Sequence, residues 1–275
     1  MPEGDTIYRV ARTLQIALGN RVVTGFDSVL AQLVRVDRNA PIAGRTVEQV
    51  TSAGKNLLIH FSGDLILRTH LRMNGSWHVY RPGERWMRRK SDMRIVIATD
   101  AWVAVGFSIP VAELLTADEL HRHRELSSLG PDLLDAGFDA EEAIRRLRAA
   151  PDVEIADALL DQKVMAGIGN VYKSEILFLH RVSPFVRVDA LGDDALAALV
   201  ESAREQMRAN VIEADRTRRS MRPTMRRTTR RMEPGAALWV YGRTGRPCRV
   251  CGKPIESRRQ GKDGRMTYWC PGCQG

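Results

Sequence analysis

The sequence predicts an α+β protein of two parts, a β-rich amino-terminal half and a helical carboxy-terminal half that closes with a small cysteine-bearing module. Three observations predict it. Short apolar runs bounded by Gly, Asp and Asn turns fill residues 21 to 107. Helical apolar periodicity takes over beyond SSLGPDLL, at 127 to 134. All four cysteines lie within the last 28 residues.

The elements follow in order. After MPEGDT, Ile7, Val10, Leu14, Ala17 and Leu18 recur at helical spacing, with Asp5 or Thr6 as candidate N-cap and Gly19-Asn20 as stop. NLLIHF, LILRTHL, SWHVY, RIVIAT and WVAVGF then read as strands of an antiparallel sandwich or barrel. Gly130-Pro131 marks the natural boundary. EEAIRRLRAA, VEIADALLDQ, NVYKSEILFLH and a stretch from about 189 to 211 read as helices. The expected division is residues 1–126, a linker at 127–135, a helical domain with an arginine-rich connector at 136–236, and a terminal module at 237–275.

With 275 residues, 44% of them AVILMFWYC and 27% charged, the chain suits neither a membrane span nor a disordered polymer. No segment reaches the roughly 18 apolar residues that a span requires. Charged residues at 3, 5, 9, 12 and 21 stand where a signal peptide would need an apolar core, so a cytoplasmic protein is expected. Forty-two Lys and Arg against 33 Asp and Glu give +9, and Arg216 to Arg231 holds eight arginines with no acid between them. Such a field draws polyanions, nucleic acid first.

Cys248, Cys251, Cys270 and Cys273 are spaced C-x2-C-x18-C-x2-C. In a reducing compartment two such thiolate pairs converge on one tetrahedral Zn2+, a closed and therefore structural site. Between the pairs, Asp263-Gly264 reads as a hairpin turn that sets Arg265 just past its tip, in reach of a substrate phosphate. In DQKVMAGIGNVYKSEI, Gly167 and Gly169 precede a helix, a pattern that either admits an anion to the helix amino terminus or simply turns the chain. Lys55, after Gly54 at the entrance to NLLIHF, can bind a phosphate or a polar base edge, or else is a solvated strand-end lysine.

Pro2 becomes a secondary amine once Met1 is removed. An α-amino group with pKa about 7.7–8.0 is far more often neutral near pH 7 than a lysine at about 10.4. Its attack on a sugar C1′ yields an iminium, an electron sink, and the adjacent Glu3 carboxylate can move the protons that sugar opening requires. The bland alternative is that Pro2 is only a processing signal.

Taken together, MPEG, the GK before a strand, HLRMNGSW, LGPDLL, DQKVMAGIGNVYKSEILF and YGRTGRPCRVCGKPI…GRMTYWCPGCQ resemble the formamidopyrimidine-DNA glycosylase and endonuclease VIII family along nearly the whole chain. The MPEGD start is closer to the endonuclease VIII branch. The resemblance implies an N-terminal antiparallel β-sandwich with flanking helices and a C-terminal helix-two-turn-helix domain carrying the four-cysteine zinc ribbon. It implies a bifunctional DNA glycosylase and abasic-site lyase, monomeric, acting on damaged double-stranded DNA with one structural Zn2+.

On the matching positions Pro2 is the nucleophile, Glu3 the proton donor and acceptor, and Lys55 a proton-donor or phosphate-contact residue. Lys163, Asn170 and Arg265 would hold phosphates around the flipped nucleotide, and Met73 would fill the gap it leaves. The purine branch pairs its wedge with an arginine and a phenylalanine. Here WVAVGFSIP offers only Phe107, so the other wedge residues are unassigned. The arginine-rich stretch 216–231 is expected to be a mobile basic connector. Oxidised pyrimidines are the expected substrates. The alternatives are an oxidised-purine glycosylase and a zinc-ribbon DNA-binding protein without catalysis.

Overall fold

In the computed structural model, which describes residues 2–216, 226–233 and 235–275, the first helix, α1 (Gly4–Leu18), begins ahead of the caps expected for it. Glu3 holds the N-cap position without a side-chain capping bond, and its carbonyl accepts from the Thr6 and Ile7 N–H at 2.9 and 3.1 Å. Asp5 is buried within the first turn instead, where an acid is favoured by the helix dipole without being the cap. At the other end Gly19 is obligatory, because a Cβ there would stand 2.5 Å from the Gln15 carbonyl, and Asn20 takes the left-handed conformation at φ 58°.

Two compact units are present, Met1–Ser128 and Leu129–Gly275. In the first, β1 (Gly25–Ser28) is followed by α2 (Ala31–Asn39), a helix the sequence reading did not anticipate. Val34 and Val36 give this segment a strand-like look, and only Leu33 of it is buried. Seven more strands follow: β2 (Val47–Ala53), β3 (Asn56–Phe61), β4 (Leu65–His70), β5 (Ser76–Tyr80), β6 (Met93–Ala98), β7 (Val103–Phe107) and β8 (Val111–Leu115). They form two antiparallel four-stranded sheets, ordered β2-β3-β4-β8 and β1-β6-β7-β5.

Leu57, Ile59 and Leu67 of one sheet pack with Ile95, Ile97 and Ala104 of the other, and Ile7, Leu14 and Leu18 of α1 join the same core. That is a sandwich, with α1 laid on it. Two short helices, α3 (Ala117–His121) and α4 (Arg124–Ser127), close the unit. The fully buried Arg68 guanidinium of β4 ties α4 to the sheet by ion pairs with Glu113 of β8 (2.6 Å) and Glu125 of α4.

The second unit packs α5 (Ala140–Arg148), α6 (Ile155–Leu160), α7 (Asn170–Leu179) and α8 (Asp193–Arg216) around Leu147, Ile155, Leu159, Ile168, Tyr172, Ile176 and Leu199. Asp139 caps α5 by accepting from the Glu142 N–H at 2.9 Å. Asn170 to Phe178 of α7 are all buried, so this helix is central and has no solvent face. The terminal hairpin pairs β9 (Glu256–Gln260) with β10 (Arg265–Trp269). Among the described residues no helix is long and apolar enough to cross a membrane.

Candidate active site and metal cluster

Pro2 is half-buried and Glu3 fully buried at the start of α1. Two contacts fix how α1 runs along β2: the Asn20 N–H donates to the Val47 carbonyl at 2.8 Å, and the Val50 N–H to Gln15 Oε1 at 2.5 Å. Helix and strand are therefore antiparallel. Twelve helical residues from Gln15 back to Glu3 span about 18 Å at 1.5 Å each, and the strand from Val50 to Lys55 spans about 17 Å. The start of the chain thus lies at the Gly54-Lys55 end of β2.

Gly54 and Lys55 form the two-residue turn joining β2 to β3, with Ala53 opposite Asn56 and Gly54 at φ 57°. Lys55 sits in the turn itself, not in the strand. Asn56 pairs with His70, the last residue of β4, so the turn that follows, Leu71 to Gly75, shares this end of the sheet. The sandwich thereby gathers Pro2, Glu3, Lys55, His70 and the 71–75 turn at one rim.

In that turn the Gly75 N–H donates to the Leu71 carbonyl at 2.9 Å, and a Cβ on Gly75 would lie 2.6 Å from that oxygen. The tight closure pushes Arg72, Met73 and Asn74 outward. Met73 is 59% exposed, which no core methionine would be. Phe107, by contrast, is fully buried in β7 beneath Trp86 and does not reach the rim. Arg72 and Asn74 are exposed on the same turn as Met73, and the sequence reading did not single them out. His70 was missed as well. Burial and then the Arg72 charge lower its pKa to about 4, so its ring is neutral near pH 7, and its Nδ1 accepts from the Arg72 N–H at 3.1 Å.

In the second unit, Gln162 staples the glycine turn by donating to the Leu160 and Ile168 carbonyls (2.8 and 3.0 Å) and accepting from the Gly167 N–H (3.1 Å). Gly167 stands at φ 110°, a conformation few other residues adopt. The turn delivers Asn170 as the first residue of α7, and its amide donates to the Met266 carbonyl at 2.5 Å. The helix start and the hairpin bearing Arg265 are thereby joined. Asn170 Oδ1 is buried without a hydrogen-bond partner among the described residues. Lys163 is exposed just ahead of the turn, its backbone held by Asp161 (2.9 Å) and Arg146 (2.6 Å). Arg265 opens β10 after a four-residue loop, longer than the two-residue turn that Asp263-Gly264 alone would make.

Two charged residues of α7 organise this region, and the sequence reading passed over both. Lys173 Nζ, fully buried, donates to Thr267 Oγ1 at 2.7 Å, which donates to Gln260 (2.7 Å), which donates to Glu154 (2.6 Å). Glu175 accepts the N–H groups of Trp239, Val240 and Tyr241 at 2.7–2.8 Å, and the Thr228 hydroxyl besides. The available signal was a lysine and a glutamate inside an otherwise apolar helix.

The four cysteines are all free, and their sulfurs lie within 4.8 Å of one another, with Cys248–Cys273 at 3.9 Å and Cys251–Cys270 at 3.3 Å. A tetrahedron with metal–sulfur bonds of about 2.3 Å has edges of about 3.8 Å. The cluster therefore fits a divalent metal, with no side chain poised to leave an open position. Of the arginine-rich stretch, residues 217–225 lie outside the described residues. Arg226 stacks 4.8 Å from the Tyr172 ring and Arg231 5.6 Å from Trp239.

Residues 1–107 match the model of the formamidopyrimidine-DNA glycosylase N-terminal domain, and residues 129–221 that of the formamidopyrimidine-DNA glycosylase H2TH domain. A probable endonuclease 8 2 of Streptomyces coelicolor is 44% identical, covering 100% of this chain and 94% of that protein. A DNA-(apurinic or apyrimidinic site) lyase of Mycolicibacterium smegmatis is 38% identical over 100% and 99% of the two chains. A formamidopyrimidine-DNA glycosylase of Oceanobacillus iheyensis is 28% identical. The fold matches that of the Lactococcus lactis formamidopyrimidine DNA glycosylase, solved with DNA containing an abasic site, at a TM-score of 0.80 and 21% identity over 99% of both chains.

Proposed function

The chain belongs to the formamidopyrimidine-DNA glycosylase family, and from that premise we propose that it excises oxidised pyrimidines from duplex DNA and cleaves the resulting abasic strand. It is a DNA glycosylase and abasic-site lyase closer to the endonuclease VIII branch. The observation that carries the mechanism is the rim of the sandwich, where the α1 start meets the Lys55 turn and the exposed Met73 turn.

With Met1 removed, the Pro2 nitrogen attacks C1′ of the damaged nucleotide. The glycosidic bond breaks, the base leaves with a proton, and the sugar ring opens to an iminium joined to Pro2. Glu3, buried beside the amine, shuttles the protons: one to the ring oxygen as it opens, others to and from the amine. The iminium then draws electrons from the C2′–H bond. Loss of that proton expels the 3′ phosphate, and a second elimination expels the 5′ phosphate. Lys55 supplies a cation at the same rim, as proton donor or phosphate contact.

Met73 enters the duplex where the base has left, with Arg72 and Asn74 flanking it on the same turn. Lys163, Asn170 and Arg265 bind backbone phosphates, which fixes position without reading sequence. Zn2+ held by Cys248, Cys251, Cys270 and Cys273 supplies folding energy to the ribbon and takes no part in the reaction. The protein acts as a monomer on damaged DNA in the cytoplasm.

The test is excision from duplexes carrying dihydrouracil or 8-oxoguanine, followed by gel analysis of the cleaved strand. Faster release of dihydrouracil, with phosphate on both ends of the gap, supports the reading. Faster release of 8-oxoguanine would move the protein to the oxidised-purine specificity. Binding without excision of either would leave a non-catalytic DNA-binding protein.

A further inference from the structure

The segment joining β5 to β6, Arg81-Pro-Gly-Glu-Arg-Trp-Met-Arg-Arg-Lys-Ser-Asp92, is forced by the topology to be more than a loop. Ser76 and Met93 both lie opposite Phe107, so β5 and β6 start at the same end of the sheet with β7 between them. The chain leaving Tyr80 must return the full length of the sheet before β6 begins. It does so as a strap, with Trp86 packed edge-on against Phe107 at 5.8 Å and near Tyr80 at 6.5 Å. The Met87 N–H donates to the Tyr80 hydroxyl at 3.2 Å.

The strap arrives beside the Met73 turn and fastens to it. Arg88 donates to the Asn74 carbonyl (3.5 Å) and to Ser76 Oγ (3.1 Å). Its outer surface is unusual for a solvated connection. Met87 is 74% exposed, and Arg85, Arg89 and Lys90 are exposed with no ion pair among the described residues. Of the two acids in the strap, Glu84 is occupied by the Arg81 N–H at 2.8 Å, and Asp92 faces Arg88 at 4.0 Å. The rim therefore continues outward as a second methionine flanked by unpaired cations. That combination fits a partner presenting phosphates beside apolar sugar and base faces.

We infer that the strap is a second DNA-contacting element of this unit. Arg85, Arg89 and Lys90 meet backbone phosphates, Met87 lies against the sugars next to the nucleotide gap, and Arg88 positions the Met73 turn. The inference rests on the reading that the Met73 turn enters DNA.

The experiment uses the full chain and a duplex with a tetrahydrofuran abasic analogue. Methionine oxidation by dilute peroxide, read by mass spectrometry, should slow at least fivefold at Met87 when the duplex is bound. Arg85→Ala, Arg89→Ala and Lys90→Ala combined should reduce the slope of log affinity against log salt by about 2–3, at about 0.9 per phosphate contact. Arg35→Ala with Arg38→Ala, on the exposed side of α2, should leave the slope as it is.

Undiminished Met87 oxidation in a protein that binds the duplex overturns the inference, even if the slope falls, because a remote field alone could change the slope. An unchanged slope overturns it too. A wild-type protein that neither binds the duplex nor cleaves abasic DNA overturns the underlying reading instead.

Discussion

Removing the Glu175 carboxylate should loosen the joint between α7 and the 239–241 segment that leads into the ribbon. Glu175 is fully buried and accepts three backbone N–H groups at 2.7–2.8 Å, from Trp239, Val240 and Tyr241. Each buried donor left unmade costs about 1–3 kcal/mol, and truncating one partner of a buried charged group costs about 3–5 kcal/mol. Glu175→Ala should therefore cost about 4 kcal/mol. At about 2–4 °C per kcal/mol, the melting temperature falls by about 8–16 °C.

Glu175→Gln keeps one acceptor oxygen for Val240 and Tyr241 but turns an NH2 towards the Trp239 N–H, so it should fall between the two. The assay is scanning calorimetry of the zinc-loaded protein at fixed metal concentration. A drop under about 2 °C for Glu175→Ala would refute the reasoning, as would an alanine variant more stable than the glutamine one.

The rim and the ribbon carry further predictions. Met73→Ala should slow excision of a paired lesion about tenfold, the equivalent of about 1.4 kcal/mol of lost gap-filling, while strand cleavage at a preformed abasic site changes less; equal loss on both substrates would argue against a wedge. His70 is held neutral by burial and by Arg72, with a pKa lowered from 6.5 to about 4. The unfolded chain binds this proton at higher pH than the folded one, so the stability from the neutral ring is complete above pH 6.5 and is lost as pH falls towards 4. His70→Asn should flatten that part of the curve of stability against pH, measured by urea unfolding; an unaltered curve contradicts the assignment. Stripping the metal with a chelator should unfold the β9–β10 hairpin and weaken DNA binding at least tenfold, because metal-binding energy is folding energy in such modules. Full affinity in protein shown to be metal-free would sink the zinc proposal.

What the sequence made legible follows the physics of burial. Strands β3, β4, β6 and β7 announce themselves because each is flanked on both sides within its sheet and carries a dense apolar run. The strands missed, β1, β2 and β8, are all edge strands. Their sequences GFDS, VEQVTSA and VAELL are half-exposed and mix acids with apolar residues, and β2 carries a bulge between Val47 and Gln49. The edge strand β5 was legible only because Trp77, Val79 and Tyr80 are large and buried.

Motif order made Pro2, Glu3 and Lys55 candidates and brought out the clustered cysteines, since their chemistry is local in sequence. The rim depends on pairing Asn56 with His70 and on the antiparallel course of α1 along β2, neither of which has a local signal. Lys173 and Glu175 escaped for the same reason, their partners being 94 and 64 residues away.

The central claim is that the amine of Pro2 forms the covalent bond to DNA. It is tested by incubating protein with a native amino terminus and an abasic duplex, adding borohydride, and mapping the crosslink by mass spectrometry. A reduced adduct on Pro2 is the expected result. An adduct mapped to Lys55 or any other lysine would contradict it, as would the absence of an adduct in a protein that binds the duplex.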